Sequence, residues 1–257
     1  MLDERQSSTG HRHVNPPWLG QPAPTAAPLT YVFGLTIHVH ISRDAPGALL
    51  AWLLGVPNTG VHMPNVILTA GPVVDLASAA WALADAVGLQ AVSAGNVFRE
   101  HVQQQTPLGE EAKRYMQAGH LVPDELMVRA IAEVLANVDG GWVLYNFPRK
   151  VRQAELLTQG GHVPDAVIEL VLSEDQLRLA IHSRVERQIA LDPQQAERRQ
   201  ELLLMYSHSQ ENYQEQVKSL RAYYRTHGLL RTVSGFGDFE DVAARLIPIV
   251  SDGQRRP

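Results

Sequence analysis

The chain has no cysteine among its 257 residues. Disulfides, thiolate metal sites and cysteine nucleophiles are therefore excluded, and the composition suits a reducing compartment. Long apolar runs are missing too. No stretch reaches the roughly 18 residues that a membrane-spanning helix needs, and the polar N-terminus lacks the marks of a secretory signal. Positive charge is scarce: lysine occurs three times, as Lys113, Lys150 and Lys218, and the net charge is −5. The basic residues are scattered, so no stripe for a nucleic acid or a membrane surface is evident. Between Arg43 and Arg99 there is no lysine or arginine at all. These absences lead to the expectation of a soluble, cytoplasmic protein.

What remains is enough for one α/β domain of about 190 residues plus an appendage. Residues 1–29 are rich in Pro, Gly, Ser and Thr without period and read as a flexible tail. An N-terminal extension follows at 30–65. There Leu35, Ile37, Val39 and Ile41 alternate with Thr36, His38, His40 and Ser42, the two-residue period of a strand with one buried face. His38 and His40 share the polar face, a geometry known from metal sites but more often simply solvated; no metal site is assigned. Ala45–Gly55 reads as a short apolar helix, followed by a turn-rich linker.

From Val66 the rhythm changes to strands alternating with helices. Apolar strands are predicted at Val66–Ala70, Gln90–Ser93, Trp142–Asn146, Val167–Leu172 and Leu230–Val233. Helices are predicted at Leu76–Val87, Gly95–Gln104, Gly109–Ala118, Pro123–Asn137, Val151–Gln159 and Glu174–Ala190. A long one lies between Pro193 and Thr226, and a last one spans Asp238–Ile249. Strands this apolar, separated by helices, require a parallel sheet covered on both faces.

One stretch raises a chemical question. VILTAGPVVDLASAAWALADAVGL, Val66–Leu89, has the outline of a strand, a turn and a helix that grips a nucleotide phosphate. Such a loop, G-x-x-x-x-G-K-S/T, needs glycines so that backbone N–H groups can close around the anion, and a lysine to reach it. Read from Gly71 without gaps, the pattern meets Leu76 and Ala77 where Gly and Lys belong, and only Gly71 and Ser78 agree. A shift by one residue puts Leu76 in the lysine slot. Asp75 adds negative charge where phosphate would sit. The plainer reading makes Gly71-Pro72 a strand-to-helix turn and Asp75 an acid stabilised by the helix dipole.

Five further stretches carry a resemblance. They are VSAGNVFRE (Val92–Glu100), TPLGEEAKRYMQAGHLVPDELM (Thr106–Met127), WVLYNFPRKVRQAELL (Trp142–Leu157), VIELVLSEDQLRLAIHSR (Val167–Arg184) and LRAYYRTHGLLRTVSGFGDFEDVAARL (Leu220–Leu246). In order and spacing they resemble the adenylate kinases and, more widely, the nucleoside monophosphate kinases. The resemblance runs from about Val66 to Val250. It implies a P-loop-type three-layer α/β/α fold with a five-stranded parallel sheet, occupying 66–251. Within it, a helical monophosphate-binding subdomain falls at 95–137 and a short lid at 184–206. It also implies that Arg99 and Arg149 clamp a monophosphate, that Gln153 hydrogen-bonds the base and that Gly95 lets the backbone come close. Two guanidinium forks suit a phosphate dianion; two structural arginines are the plainer alternative. The chain departs from the family's pattern at Asn96 (for Asp), Ala94 (for Thr) and Asn146 (for the Gly before FPR), where a side chain would crowd the site.

The donor half departs further. Tyr145 stands where the family has the Asp that helps hold Mg²⁺, and Ala180 where it has a lid-hinge Arg, although the second Arg persists as Arg184. Counting back from Tyr223-Tyr224 without gaps puts Ser207 and Ser209 at the family's paired lid arginines. Matching Asp192–Tyr206 to the short-lid pattern instead retains Arg199, with an insertion of about two helical turns. Arg184 and Arg199 are thus the candidate catalytic residues. Phosphoryl transfer depends on electrostatic stabilisation by Lys, Arg and Mg²⁺, so two readings stand. One is an adenylate kinase-like protein with an impaired ATP–Mg site that binds a nucleoside monophosphate as a sensor or partner-binding module, its N-terminal extension offering a protein interface. The other is a divergent but active kinase that moves the γ-phosphate of ATP to AMP and needs Mg and ATP. No nucleic-acid or membrane partner is expected.

Overall fold

The computed structural model describes residues 63–253. The tail at 1–29 and most of the extension, including His38, His40 and Ala45–Gly55, lie outside the described residues. Five strands form one parallel sheet: β1 (Val66–Ala70), β2 (Gln90–Ser93), β3 (Trp142–Tyr145), β4 (Ala166–Val171) and β5 (Leu230–Ser234). Their order is β2-β3-β1-β4-β5. Every neighbouring pair runs parallel.

The apolar runs have two buried faces because helices cover both. Val66, Leu68 and Ala70 of β1, Val143 and Tyr145 of β3, and Ile168 and Leu170 of β4 share one cluster with two helices. These are α1 (Leu76–Val87), through Leu76, Ala79, Ala80 and Leu83, and α8 (Phe239–Gly253), through Val242, Leu246 and Val250. The alternate residues Ile67, Thr69, Val167 and Glu169 meet α7 (Arg199–Thr226) through Val217, Leu220, Arg221 and Tyr224. The result is the three-layer α/β/α fold.

Three helices, α2 (Ala94–Gln103), α3 (Pro107–Gln117) and α4 (Asp124–Leu135), fill the span between β2 and β3. Ser93 caps α2 and Thr106 caps α3, each accepting a backbone N–H three residues on. Pro107 occupies the first turn of α3, where a missing N–H is no loss, so that helix begins ahead of the predicted Gly109. Gly109 itself touches the end of α2: a Cβ there would lie 1.8 Å from the His101 carbonyl oxygen. After α5 (Val151–Gln159) and β4, α6 (Glu174–Leu191) opens on a Ser173/Gln176 capping box. The long predicted helix at 193–226 is divided: a 3₁₀ segment, Pro193–Arg198, precedes α7. Strand β3 also stops one residue early. Asn146 takes φ 61°, a left-handed conformation that ends a strand and that Asn tolerates better than most residues. Among the described residues no helix is long and apolar enough to cross a membrane.

One charge is deeply buried in the sheet. Glu169 of β4 is 1% exposed and accepts two hydrogen bonds from Arg221 of α7, Nε to Oε2 at 2.8 Å and Nη2 to Oε1 at 2.6 Å. Removing one partner leaves a buried charge uncompensated. Arg221→Ala is therefore expected to lower stability by roughly 3–5 kcal/mol, measured as the shift of a urea-unfolding curve. A loss under about 1 kcal/mol would mean that Glu169 finds water or protonates instead.

Candidate functional site

Strand order reverses around β1, and in open α/β sheets ligands gather beyond the strand C-termini at such a point. A cleft of about 320 Å³ lies there. Its walls come from the end of β1 (Thr69, Ala70, Pro72), the segment after β3 (Asn146, Pro148, Arg149) and α7 (Ser209, Asn212, Tyr213, Gln216). Among the described residues Arg149 is the one charged member of the lining.

The turn from β1 into α1 is closed by its own bonds. Val74 N–H donates to the Gly71 carbonyl at 3.2 Å and Leu76 N–H to the Val74 carbonyl at 2.9 Å. Val73 and Leu76 are buried, and Val74 packs on the α1–α8 cluster. Asp75 caps α1, accepting the Ser78 N–H at 3.3 Å and the Ser78 hydroxyl at 2.9 Å. Ser78 is thus engaged within the cap, and Ala77 faces solvent. From α7 the Gln210 side chain lies on the head of the turn: a Cβ on Gly71 would fall 2.1 Å from Gln210 Oε1. Gln210 is 9% exposed, and that oxygen has no hydrogen-bond partner among the described residues.

On the other side, the Arg149 N–H donates to Gln153 Oε1 at 2.8 Å, and Arg149 Nε to the Asn146 carbonyl at 3.3 Å. Buried Gln153 uses its other end as well, Nε2 donating to Asp124 Oδ1 at 2.7 Å. Lys150 joins the same carboxylate at 3.0 Å. Arg99 is turned back over its own helix, where Nη2 donates to Asn96 Oδ1 and the guanidinium covers Gly95. Arg99 lies outside the cleft lining, so the structure brings Arg149 and Gln153 together and leaves Arg99 apart.

The two lid registers separate in space. Ser209 lines the cleft. Arg199 makes an ion pair with Glu186 at 2.8 Å, with both side chains about half exposed. Half-buried Arg184 of α6 has no hydrogen-bond or ion-pair partner among the described residues. The three lysines are all engaged elsewhere: Lys113 with Glu110, Lys150 with Asp124 and Lys218 with Glu215.

Sequence reasoning missed Gln210, Asn212, Tyr213, Gln216 and Asp124. For Gln210 a signal existed: it sits at helical spacing with Val217, Leu220 and Tyr224 in the buried stripe of α7, where an apolar residue is the norm.

A sequence profile of the adenylate kinases matches residues 71–229. The adenylate kinase of Micrococcus luteus is 31% identical over 194 residues, covering 73% of this chain and 91% of that protein. That of a Nocardioides species is 35% identical over 172 residues, 64% of this chain and 85% of its own length. Adenylate kinase 1 of a Synechocystis species is 35% identical over 177 residues, with 65% and 87% covered. The chain belongs to the adenylate kinase family. The matched segment of this adenylate kinase homologue includes the closed turn, Arg99, Arg149 and the whole of α7.

Two measurements check this geometry. Gln210→Leu keeps most of the volume and removes an unpaired buried oxygen, so stability is expected to rise by about 1 kcal/mol; a fall would show that the amide is bonded. The half-buried Tyr213 phenol meets Thr69 Oγ1 at 3.3 Å and Glu169 Oε1 at 3.4 Å. Burial chiefly pushes its pKa up to about 12; the Thr69 hydrogen bond works against this and the Glu169 charge adds to it. A phenol whose pKa is higher in the folded state adds stability that is complete below about pH 10. That stability is lost as pH rises through 12. Tyr213→Phe is expected to remove one late-titrating phenol from the tyrosinate absorbance curve.

Proposed function

We propose that this adenylate kinase homologue binds a nucleoside monophosphate, or a related phosphorylated ligand, and does not transfer phosphate to it. It acts as a sensor or partner-binding module. The observation that carries this reading is the closed turn at Gly71–Ser78, filled by Val73 and Leu76 and overlain by Gln210. Anion binding at a helix N-terminus requires free N–H groups facing an open concavity, and transfer requires cations around the moving phosphoryl group. The turn offers neither the room nor the cation.

The residues present do not fit Mg–ATP. The Ser78 hydroxyl that would approach a cation donates to Asp75. Tyr145, in place of a carboxylate, is buried in the α1 cluster. Ser209, which the ungapped register puts in place of a lid arginine, donates its hydroxyl to the Met205 carbonyl. No catalytic step is therefore derived through the metal.

The monophosphate half keeps its means of binding. Gln153 fixes the Arg149 backbone and Asn146 fixes Nε, while the terminal nitrogens of Arg149 have no partner among the described residues. A held guanidinium with free N–H donors is a ready phosphate fork. Residues 30–65 are proposed as the partner surface.

Calorimetric titration of the full chain with AMP and, separately, with Mg·ATP tests this. Micromolar AMP binding without heat from Mg·ATP is expected. Arg149→Ala should weaken AMP by about tenfold or more, as the loss of a charge-assisted contact implies. Tight Mg·ATP binding followed by transfer of label to AMP would overturn the proposal.

A further inference from the structure

The cleft beside Arg149 has a second wall that the monophosphate reading leaves unused. Asn212 and Gln216 lie one turn apart on α7, so their carboxamides share a face. Both are exposed, line the cleft and have no hydrogen-bond partner among the described residues. Building on the monophosphate reading, we propose that these two amides read the uncharged body of the ligand. On this assignment the cleft selects a phosphate monoester with a hydroxyl-rich body and rejects di- and triphosphates.

Charge is the first argument. Among the described residues the lining holds one guanidinium and no carboxylate or ammonium. Arg99 is turned onto Asn96 and each lysine is paired elsewhere. One fork matches one phosphate group. Every further phosphate would bring charge into the cleft without a partner, which disfavours binding.

Room is the second. The cleft volume of about 320 Å³ lies at the low end of small-molecule sites, about 300–1,000 Å³. It cannot lengthen along β1, because Gln210 lies on Gly71 and closes that end. A chain of phosphates cannot extend in that direction.

Hydrogen-bond chemistry is the third. Each carboxamide offers two donors and an acceptor, the complement of a vicinal diol or of a base edge. Ser209, one turn before Asn212, has its hydroxyl hydrogen on the Met205 carbonyl and presents an acceptor oxygen. A wall of neutral donors and acceptors facing one cation sorts ligands by their uncharged part.

The test is calorimetry on the full chain with inorganic phosphate, ribose 5-phosphate, AMP, ADP and ATP, the last two without metal. The wild type is compared with Asn212→Ala/Gln216→Ala, whose sites are exposed, and a thermal melt confirms that the variant folds. The wild type is expected to bind both monoesters, with ADP and ATP weaker by about tenfold or more. The double variant should lose about tenfold on both monoesters and hold inorganic phosphate unchanged. Monoester binding untouched by the double substitution, or ATP bound as tightly as AMP, would overturn the selective role of α7. Absence of binding by the wild type to every probe would instead overturn the monophosphate reading itself.

Discussion

The bond between Glu169 and Arg221 sets the position of α7, and the site is built on α7. A carboxylate 1% exposed in a central strand is tolerable only with a partner that satisfies both oxygens. The guanidinium does so with a two-pronged grip, and such a grip fixes rotation as well as distance. Sliding the helix by one residue would turn the fork by about 100° and break it. Eleven residues earlier, about three turns, the same face delivers Gln210 to Gly71, and eight residues earlier it delivers Tyr213 to Thr69. The cleft wall of Asn212 and Gln216 follows from the same fixed phase.

This placement explains what holds the strand–turn–helix at 66–87 together when its turn carries one glycine and no lysine. Val73 and Leu76 bury apolar surface at the turn, Ala79, Ala80 and Leu83 continue it along α1, and Asp75 with Ser78 satisfies the helix N-terminus. Each leucine or valine so buried contributes about 1.5–3 kcal/mol relative to exposure. The fold draws its stability from this packing, and none of it depends on a lysine or a bound anion. At Gly71 an added Cβ would press on the amide at the far end of the Gln210 side chain.

Much of this was legible in the sequence. The apolar strand runs and the order of helices come from local periodicity, which acts over a few residues. The five strands fall where their patterns put them, within a residue at each end. Tyr145 and Ser78 could be singled out from the sequence, yet their contacts were not readable there. The direction of the Arg99 guanidinium, turned onto Asn96, is a rotamer decided by its surroundings. The end of β3 at Asn146 depends on one positive φ. Gln210, Asn212 and Gln216 matter only because a helix distant in sequence crosses the end of β1, and no local pattern encodes that crossing.

The span at 184–206 bears on the same question from another side. Tyr206 donates its hydroxyl to Gln188, Gln188 donates to Gln195, and Gln195 donates to Asp192. Arg199 is tied to Glu186. This region joins α6 to α7 through neutral amides and a surface ion pair, and the arginine retained by the gapped register faces Glu186. The ungapped register, by contrast, puts at the second lid position Ser209, which lines the cleft together with Arg149. Taking that register, the positive charge around the cleft falls to one fork. The proposed monophosphate role rests on that one fork, the closed end and the wall of amides, and phosphoryl transfer would call for further cations, of which the described lining residues supply none.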